Sequence, residues 1–119
     1  MGAVICEQGD VVSINFDPSK GHEPAYRHYG VVLSPWRINK TCALMLMVPV
    51  TSVDNGYPLH VKIAAGNPVR GFVQCEAVRA MDLGVREAEG AAEVVGSLDD
   101  GTLAQVMATV LVVLGLEEF

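Results

Sequence analysis

Two strand-like segments separated by a long polar loop constrain the fold of this chain more than any other feature. The first begins at Gly9-Asp10 and alternates apolar and polar residues as far as Phe16, and the second is the apolar run over residues 30–33. Asp17-Pro18 ends the first strand, because proline cannot donate to a sheet and restricts the residue before it. Ser34-Pro35 ends the second. A loop of this length in a compact domain is usually functional.

Further short strands, separated by turn signals, follow along the chain. Residues 43–50 are strongly apolar and predict a third strand, in which Pro49 requires an edge position or a bulge. The Asp54-Asn55-Gly56 segment predicts a hairpin turn, because Asn-Gly tolerates the positive φ that a tight hairpin needs. A second turn is expected at Gly66-Asn67-Pro68. The pattern predicts a helical turn over residues 36–41, strands over 57–64 and 69–76, a short sixth strand over 77–81 and an acidic loop over 82–96.

The C-terminal segment predicts a helix. Residues 97–100 combine a capping side chain with acidic residues, which the positive end of a helix favours. Apolar residues then recur at helical spacing, at Leu103, Val106, Val110 and Leu114, and Gly115 is a natural stop. The chain therefore predicts a single domain over residues 1–119, mainly β with a C-terminal α-helix. Runs of short strands favour a small antiparallel barrel or sandwich.

Composition restricts the class of protein. Half of the residues are hydrophobic and the mean hydropathy is +0.33, which is high for a small soluble monomer and predicts an oligomer face. The longest apolar run, over residues 103–116, is interrupted by Gln105 and Thr109, so no membrane span is expected. The first residues lack the basic start of a signal peptide.

The cysteines predict a reducing, cytoplasmic location. Cys6, Cys42 and Cys75 are odd in number and far apart, which favours free thiols over a disulfide framework. The chain has no CxxC or HExxH pattern, so the sequence predicts no metal site.

Charge is unevenly distributed along the chain. The formal net charge of −6 disfavours a long nucleic-acid duplex as partner. Residues 19–41 nevertheless contain four basic residues and one acid, so this segment predicts binding of a short anionic ligand. The four basic residues are Lys20, Arg27, Arg37 and Lys40, and the acid is Glu23.

Several motifs, taken together and in order, resemble the MazF/PemK/Kid family of toxins from bacterial toxin–antitoxin systems. They are GDVVSINFDPSKGHE, VVLSP, VPVTS, NGYP, GFVQCEAVRAMDL and LAQVMATVLVVLGL. The resemblance implies an SH3-like barrel with a C-terminal helix and a homodimer. It also implies a metal-independent endoribonuclease that needs no cofactor, cleaves single-stranded mRNA and is inhibited by a cognate MazE/PemI-like antitoxin.

The resemblance also implies which residues form the site. The family threonine falls on Thr51, the loop histidine on His22 and the acid late in the fifth strand on Glu76. Ungapped alignment puts His28 at the family's arginine position, and Arg27 stands one residue earlier. The sequence leaves open which of these two replaces the arginine. The residues expected to contact RNA are Lys20, Glu23, Ser52, Gln74 and Arg79.

Cleavage of RNA without a metal uses the substrate's own 2′-hydroxyl as nucleophile. A base takes the 2′ proton, an acid protonates the leaving 5′-oxygen, and a cation stabilises the pentacoordinate phosphate. We expect Arg27 and Thr51 to bind the scissile phosphate, while His22, His28 or Glu76 exchange protons.

Each candidate also has a purely structural interpretation. Thr51 is typical of a turn residue that bonds its own backbone, and Glu76 of an acceptor that holds a loop. His60 lies between apolar neighbours and predicts an outward-facing strand residue. Trp36 predicts core or dimer packing.

Two other functions remain open from the sequence. The gyrase poison CcdB shares the implied barrel and dimer, so a non-catalytic toxin is one alternative. A degenerate module that only binds an antitoxin is the other.

Overall fold

The computed structural model describes residues 6–15, 27–54, 56–82 and 92–118. These ranges contain seven strands and two helices. They are β1 (Asp10–Asn15), β2 (Arg27–Val32), α1 (Trp36–Thr41), β3 (Met45–Thr51), β4 (His60–Lys62), β5 (Phe72–Gln74), β6 (Arg79–Met81), β7 (Ala92–Ser97) and α2 (Asp100–Val113).

The strands form one antiparallel sheet in the order β4-β5-β3-β2-β1-β7, with β6 also paired to β3. The predicted class, mainly β with a C-terminal helix, is confirmed. The sheet is not closed into the barrel that the resemblance implies, because within the described ranges its order ends at β4 on one side and β7 on the other.

Pro49 lies inside β3 without an edge position or a bulge. It pairs with Gly30 of β2 in an unshifted register. On its other side β3 changes partner, from β6 opposite residues 45–47 to β5 opposite Val50 and Thr51. Leu33 N donates to Leu46 O, so by strand alternation the Pro49 nitrogen faces away from β2, toward this change of partner. The missing N–H therefore costs the sheet no ladder bond with β2.

Two further predicted features differ from the structure. The Asp54-Asn55-Gly56 segment does not close a β3–β4 hairpin, because β5 lies between these strands and pairs with both; Asn55 itself is outside the described residues. The predicted acidic loop over 82–96 is also wrong at its end, where β7 pairs with β1. Residues 83–91 lie outside the described ranges.

The sheet has a buried apolar cluster on each face. On one face Val106 and Val110 of α2 pack against strand residues such as Val73, as the helical spacing predicts. On the other face Ile14 and Met47 belong to a separate buried cluster. The sheet therefore forms the middle layer of the fold. No helix in the described ranges is long and apolar enough to cross a membrane.

A buried hydrogen-bond network fixes α1, the predicted helical turn, at the end of β2. Asn39 Nδ2 donates to the carbonyl oxygens of Cys6 and Ser34, and Ser34 Oγ donates to Asn39 Oδ1 at 2.6 Å. Leu46 N in turn donates to Ser34 Oγ. Because these polar groups satisfy one another, they can be buried without a large desolvation cost.

Candidate active site

The candidate site lies on one face of the sheet, where β2 begins and β3 ends. Gly30 pairs with Pro49, so His28 and Thr51, two residues further along their strands, come beside each other. Strand residues two apart share a face. His28 and Thr51 therefore share the face of Gly30 and Pro49, and both are half-buried.

The structure describes the two candidates for the family's arginine position, His28 and Arg27, to different extents. Arg27 is the first residue of β2 and pairs with Asn15. Its side chain, and with it the expected contact between the guanidinium and Thr51, lies outside the described part of the chain. His22, Lys20 and Glu23 lie outside it as well.

Thr51 is held in place from two sides. Val53 N donates to Thr51 Oγ1 at 3.2 Å, which is the turn contact expected of a threonine at a strand end and leaves the hydroxyl proton to be donated elsewhere. On the backbone side Gly71 has φ +126°, and a Cβ there would lie 2.5 Å from Thr51 O. Only glycine therefore permits this approach of the two backbones.

A lateral row of side chains extends from Thr51 across β5 to β4. Thr51 pairs with Phe72, and Phe72 pairs with Lys62. In the adjacent row Gln74 pairs with His60. Directly paired residues project on the same face, so these side chains share the face of Thr51.

His60 is not the outward-facing residue that the sequence predicts. Its side chain is 5% exposed, and its Nε2 lies 3.0 Å from Glu76 Oε2. The ring of Tyr57 meets the imidazole edge to face, with centroids 5.1 Å apart. Alternation along β4 alone does not predict this contact. It arises because His60 pairs with Gln74 of β5, and Glu76 follows Gln74 by two residues.

The His60–Glu76 pair retains unused capacity for hydrogen bonding. His60 Nδ1 and Glu76 Oε1 are buried and have no hydrogen-bond partner among the described residues. An imidazole and a carboxylate in direct contact can exchange a proton with a substrate bound beside them. The Glu76 side chain as a whole is 30% exposed, so the pair lies close to the protein surface.

Cys75, the residue before Glu76, is not a nucleophile. Burial, followed by the charge of Glu76, raises the pKa of the Cys75 thiol to about 12. The thiolate required for nucleophilic attack is therefore scarce at neutral pH.

The remaining predicted residues are dispersed. Ser52 is exposed beside Thr51, and Gln74 is half-buried on the same face. Arg79 is exposed on β6, opposite Met47. Arg37 and Lys40, the other two basic residues of the 19–41 segment described above, belong to α1, at the opposite end of β3 from Thr51. Within the described ranges no group of three or more His, Cys, Asp or Glu residues could hold a metal ion.

Comparisons with known proteins relate the chain to toxins. Residues 7–114 match the family described as PemK-like, MazF-like toxin of type II toxin-antitoxin system. The endoribonuclease toxin MazF of Escherichia coli (strain K12) is 35% identical over 75 residues, which cover 63% of this chain and 67% of the relative.

Solved structures from Deinococcus radiodurans give the same relationship. A crystal structure of MazE-MazF (Form-II) has a TM-score of 0.82 and 33% identity, covering 96% of this chain and 99% of the other. A crystal structure of MazF (Form-I) has a TM-score of 0.78 and 34% identity, covering 94% and 98%. The match extends over nearly the whole sequence, and the chain belongs to the PemK-like, MazF-like toxins of type II toxin–antitoxin systems.

Proposed function

We propose that this chain is an endoribonuclease toxin that cleaves single-stranded mRNA in the cytoplasm. The family membership and the relatives named endoribonuclease MazF and PemK support this activity. These names disfavour both the gyrase-poison and the binding-module alternatives. Three free cysteines agree with a reducing compartment.

In the proposed reaction the ribose 2′-oxygen attacks the adjacent phosphorus and the bond from phosphorus to the 5′-oxygen breaks. A base removes the 2′ proton and an acid protonates the departing 5′-oxygen, which leaves a 2′,3′-cyclic phosphate and a 5′-hydroxyl. The attacking group belongs to the substrate. The protein therefore has to bind the phosphate, orient it in line and move two protons.

One feature of the strand register carries this assignment: extension of the β2–β3 pairing beyond Tyr29–Val50 puts His28 next to Thr51, on the face that also bears the His60–Glu76 pair. The Thr51 hydroxyl donates to a non-bridging phosphate oxygen, where negative charge develops. His28 and Glu76, the latter oriented by His60, take the two proton-transfer roles. Arg27 begins β2 beside His28 and adds a permanent positive charge near the phosphate.

The test is a cleavage assay with single-stranded RNA in the presence of a chelator. We expect cleavage with 2′,3′-cyclic phosphate ends. Thr51→Val, which keeps the shape but removes the hydroxyl, should lower kcat/KM by about 100-fold, as loss of an oxyanion donor does elsewhere. A Ser52→Ala variant controls for the neighbouring hydroxyl and should lose less. Parental rates in Thr51→Val would refute the role of Thr51, and absence of cleavage by the parent protein would refute the activity.

We also propose a homodimer that binds a cognate antitoxin. Large apolar side chains remain exposed on α1 and β3, among them Trp36 at 43%, Ile38 at 46% and Leu46 at 45%. Exposed apolar surface of this kind is typical of an interface, and it excludes Trp36 from this chain's own core. Light scattering should give twice the mass of 12.7 kDa; a monomer at micromolar concentration would contradict the dimer.

A further inference from the structure

A basic surface with no role in the proposed reaction lies beside Thr51. Lys62 and Phe72 continue the lateral row that begins at Thr51. An open cavity of about 620 Å³ runs along this edge of the sheet, and Lys62, Phe72 and Arg70 are among the residues that line it. Gly71 also lines the cavity, and a Cβ built on it would lie 2.5 Å from Thr51 O, so one end of the cavity lies next to the backbone of Thr51.

Among the described residues, no acidic group forms a salt bridge with the cations of this cavity. Residues 55–75 contain no aspartate or glutamate, although the whole chain carries fourteen. Lys62 and Arg70 are exposed, and neither forms a salt bridge with another described residue. Two unpaired cations on a chain of net charge −6 make this a local site for a polyanion.

Phe72 gives the cavity an apolar floor. It is half-buried on the β5 strand, between the backbone partners Lys62 and Thr51. A partly exposed aromatic ring flanked by cations is the usual arrangement for single-stranded nucleic acid, in which bases stack and phosphates pair with lysine or arginine.

One acidic group, Asp99, contacts a residue of the cavity lining. Asn67, which also lines it, donates to Asp99 Oδ2 at 3.2 Å. Asp99 in turn accepts a hydrogen bond from Thr102 N at the start of α2. The Asp99 carboxylate thus caps the helix, and it forms no salt bridge with Lys62 or Arg70.

We propose that Lys62, Arg70 and Phe72 form a nucleotide subsite that holds the RNA strand next to the scissile phosphate. Lys62 and Arg70 bind backbone phosphates, and a base stacks on Phe72. The subsite rests on the proposed ribonuclease function. It determines how strongly the strand is held, whereas Thr51 and its neighbours determine whether the strand is cut.

The charge part of the proposal is tested by binding rather than by cleavage. The probe is a single-stranded RNA of about ten nucleotides with 2′-O-methyl groups throughout, which spans the site but cannot react. We expect Lys62→Ala/Arg70→Ala to raise its Kd by about tenfold near 0.1 M salt. The slope of log Kd against log salt should fall by about 1.4, or about 0.7 per lost phosphate contact.

A matched control removes the same charge elsewhere. Arg37→Ala/Lys40→Ala also deletes two cations, but from α1 at the opposite end of β3. We expect this variant to change Kd by less than twofold. Equal weakening in both double variants would mean that net charge alone governs binding and would overturn the subsite, as would an unchanged Kd in Lys62→Ala/Arg70→Ala.

The stacking part is tested with conservative variants. Phe72→Leu keeps an apolar residue but removes the aromatic face, and we expect it to weaken binding about fivefold. Phe72→Trp should restore binding, because the indole also stacks. Circular dichroism and the thermal midpoint show whether each variant is folded. If folded Phe72→Leu binds like the parent, the stacking role is wrong.

Cleavage rates separate this proposal from the function on which it rests. In the parent background Lys62→Ala/Arg70→Ala should raise KM and leave kcat unchanged, because uniform binding is lost. A parent protein that binds the probe through these residues but cuts no RNA would support the subsite and refute the nuclease. If the parent cuts RNA and Lys62→Ala/Arg70→Ala cuts it with the same KM and kcat, the nuclease is supported and the subsite is refuted.

Discussion

At position 28 this chain carries a histidine where the resemblance places an arginine. Extension of the β2–β3 register puts His28 beside Thr51, where the proposed reaction requires a cation for the phosphate. A protonated imidazole can supply this charge, and it can also transfer a proton, which arginine cannot.

Substitution of His28 distinguishes these contributions. His28→Ala should lower kcat/KM by at least about 100-fold, the range associated with general acid–base catalysis. His28→Arg should stay within about tenfold of the parent, because the guanidinium restores the charge beside the phosphate. Initial rates on a fluorogenic RNA measure both effects. Parental activity in His28→Ala would exclude His28 from the site, and equal losses in both variants would assign it proton transfer alone.

The residues of the site differ in how far the sequence could predict them. The family motif and the predicted end of a strand both point to Thr51, and the structure puts this residue at the last position of β3. The contact of His60 with Glu76 could not be derived from alternation along one strand. It depends on which strand pairs with β4, and a short three-residue strand carries too few side chains to specify its partner.

Among the elements, the β4–β5 connection has the most direct effect on the site. Gly71 ends this connection with φ +126°, and a Cβ there would lie 2.5 Å from Thr51 O. A side chain here would be strained by its φ and would also displace the end of β3. Glycine at position 71 therefore allows the backbone of Thr51 to keep its place at the end of β3.

Gly71→Ala should lower both stability and activity. We expect a loss of about 1–3 kcal/mol in the free energy of unfolding, the usual cost of a strained backbone position, and a fall in kcat from displacement of Thr51. Urea unfolding and cleavage rates measure the two. Gly115→Ala is the control, because Gly115 has φ +79° but open space around it. It should lose stability only. Full kcat in folded Gly71→Ala would show that Thr51 tolerates the shift.

The start of α2 is a pH-dependent element. Hydrogen bonds from Thr102, with a smaller contribution from Asn67, hold the pKa of Asp99 below its ordinary value of 3.8. Because the folded pKa is lower than the unfolded one, the ionised cap stabilises the protein above the unfolded pKa. This stabilisation is lost as the pH falls through the folded pKa.

Asp99→Asn isolates this effect, since asparagine also caps helices but does not titrate. The parent should have the higher thermal midpoint near neutral pH. The difference should shrink as the pH falls below 3.8, the unperturbed value. Thermal scans across acidic pH, with Asp100→Asn as the neighbouring control, measure it. A difference that stays constant with pH would mean that the carboxylate charge does not stabilise the helix start.

Sequence periodicity predicted some elements better than others for a physical reason. The apolar face of α2 depends only on the spacing of residues along the helix, and Val106 and Val110 are buried as predicted. The β7 strand was missed because its exposed Val94 and Val95 follow no alternation. Its strand conformation comes from pairing with β1. Sheet order is likewise a long-range property, so a local Asn-Gly signal could not reveal that β5 inserts between β3 and β4.

At the scale of the whole molecule, one sheet separates two buried clusters, and each contains a cysteine. Cys75 lies in the cluster under α2, with Sγ 3.9 Å from Val106 O. Cys6 lies in the cluster on the other face. Cys42 is exposed at the end of α1. The reactivity of each thiol therefore measures the accessibility of a different region: the surface for Cys42, and one face of the sheet each for Cys75 and Cys6.

Thiol labelling should show that both faces open together. In native protein at about pH 8 only Cys42 should react with a thiol reagent, because Cys6 and Cys75 are buried and thiolates are the reactive species. Strands β1, β2 and β3 contribute to both clusters, so loss of one should destroy the other in a two-state transition. In a Cys42→Ser background, mass spectrometry should give the same denaturant midpoint for Cys6 and Cys75. Labelling of Cys75 at a distinctly lower concentration would instead mean that α2 separates from a sheet that remains folded.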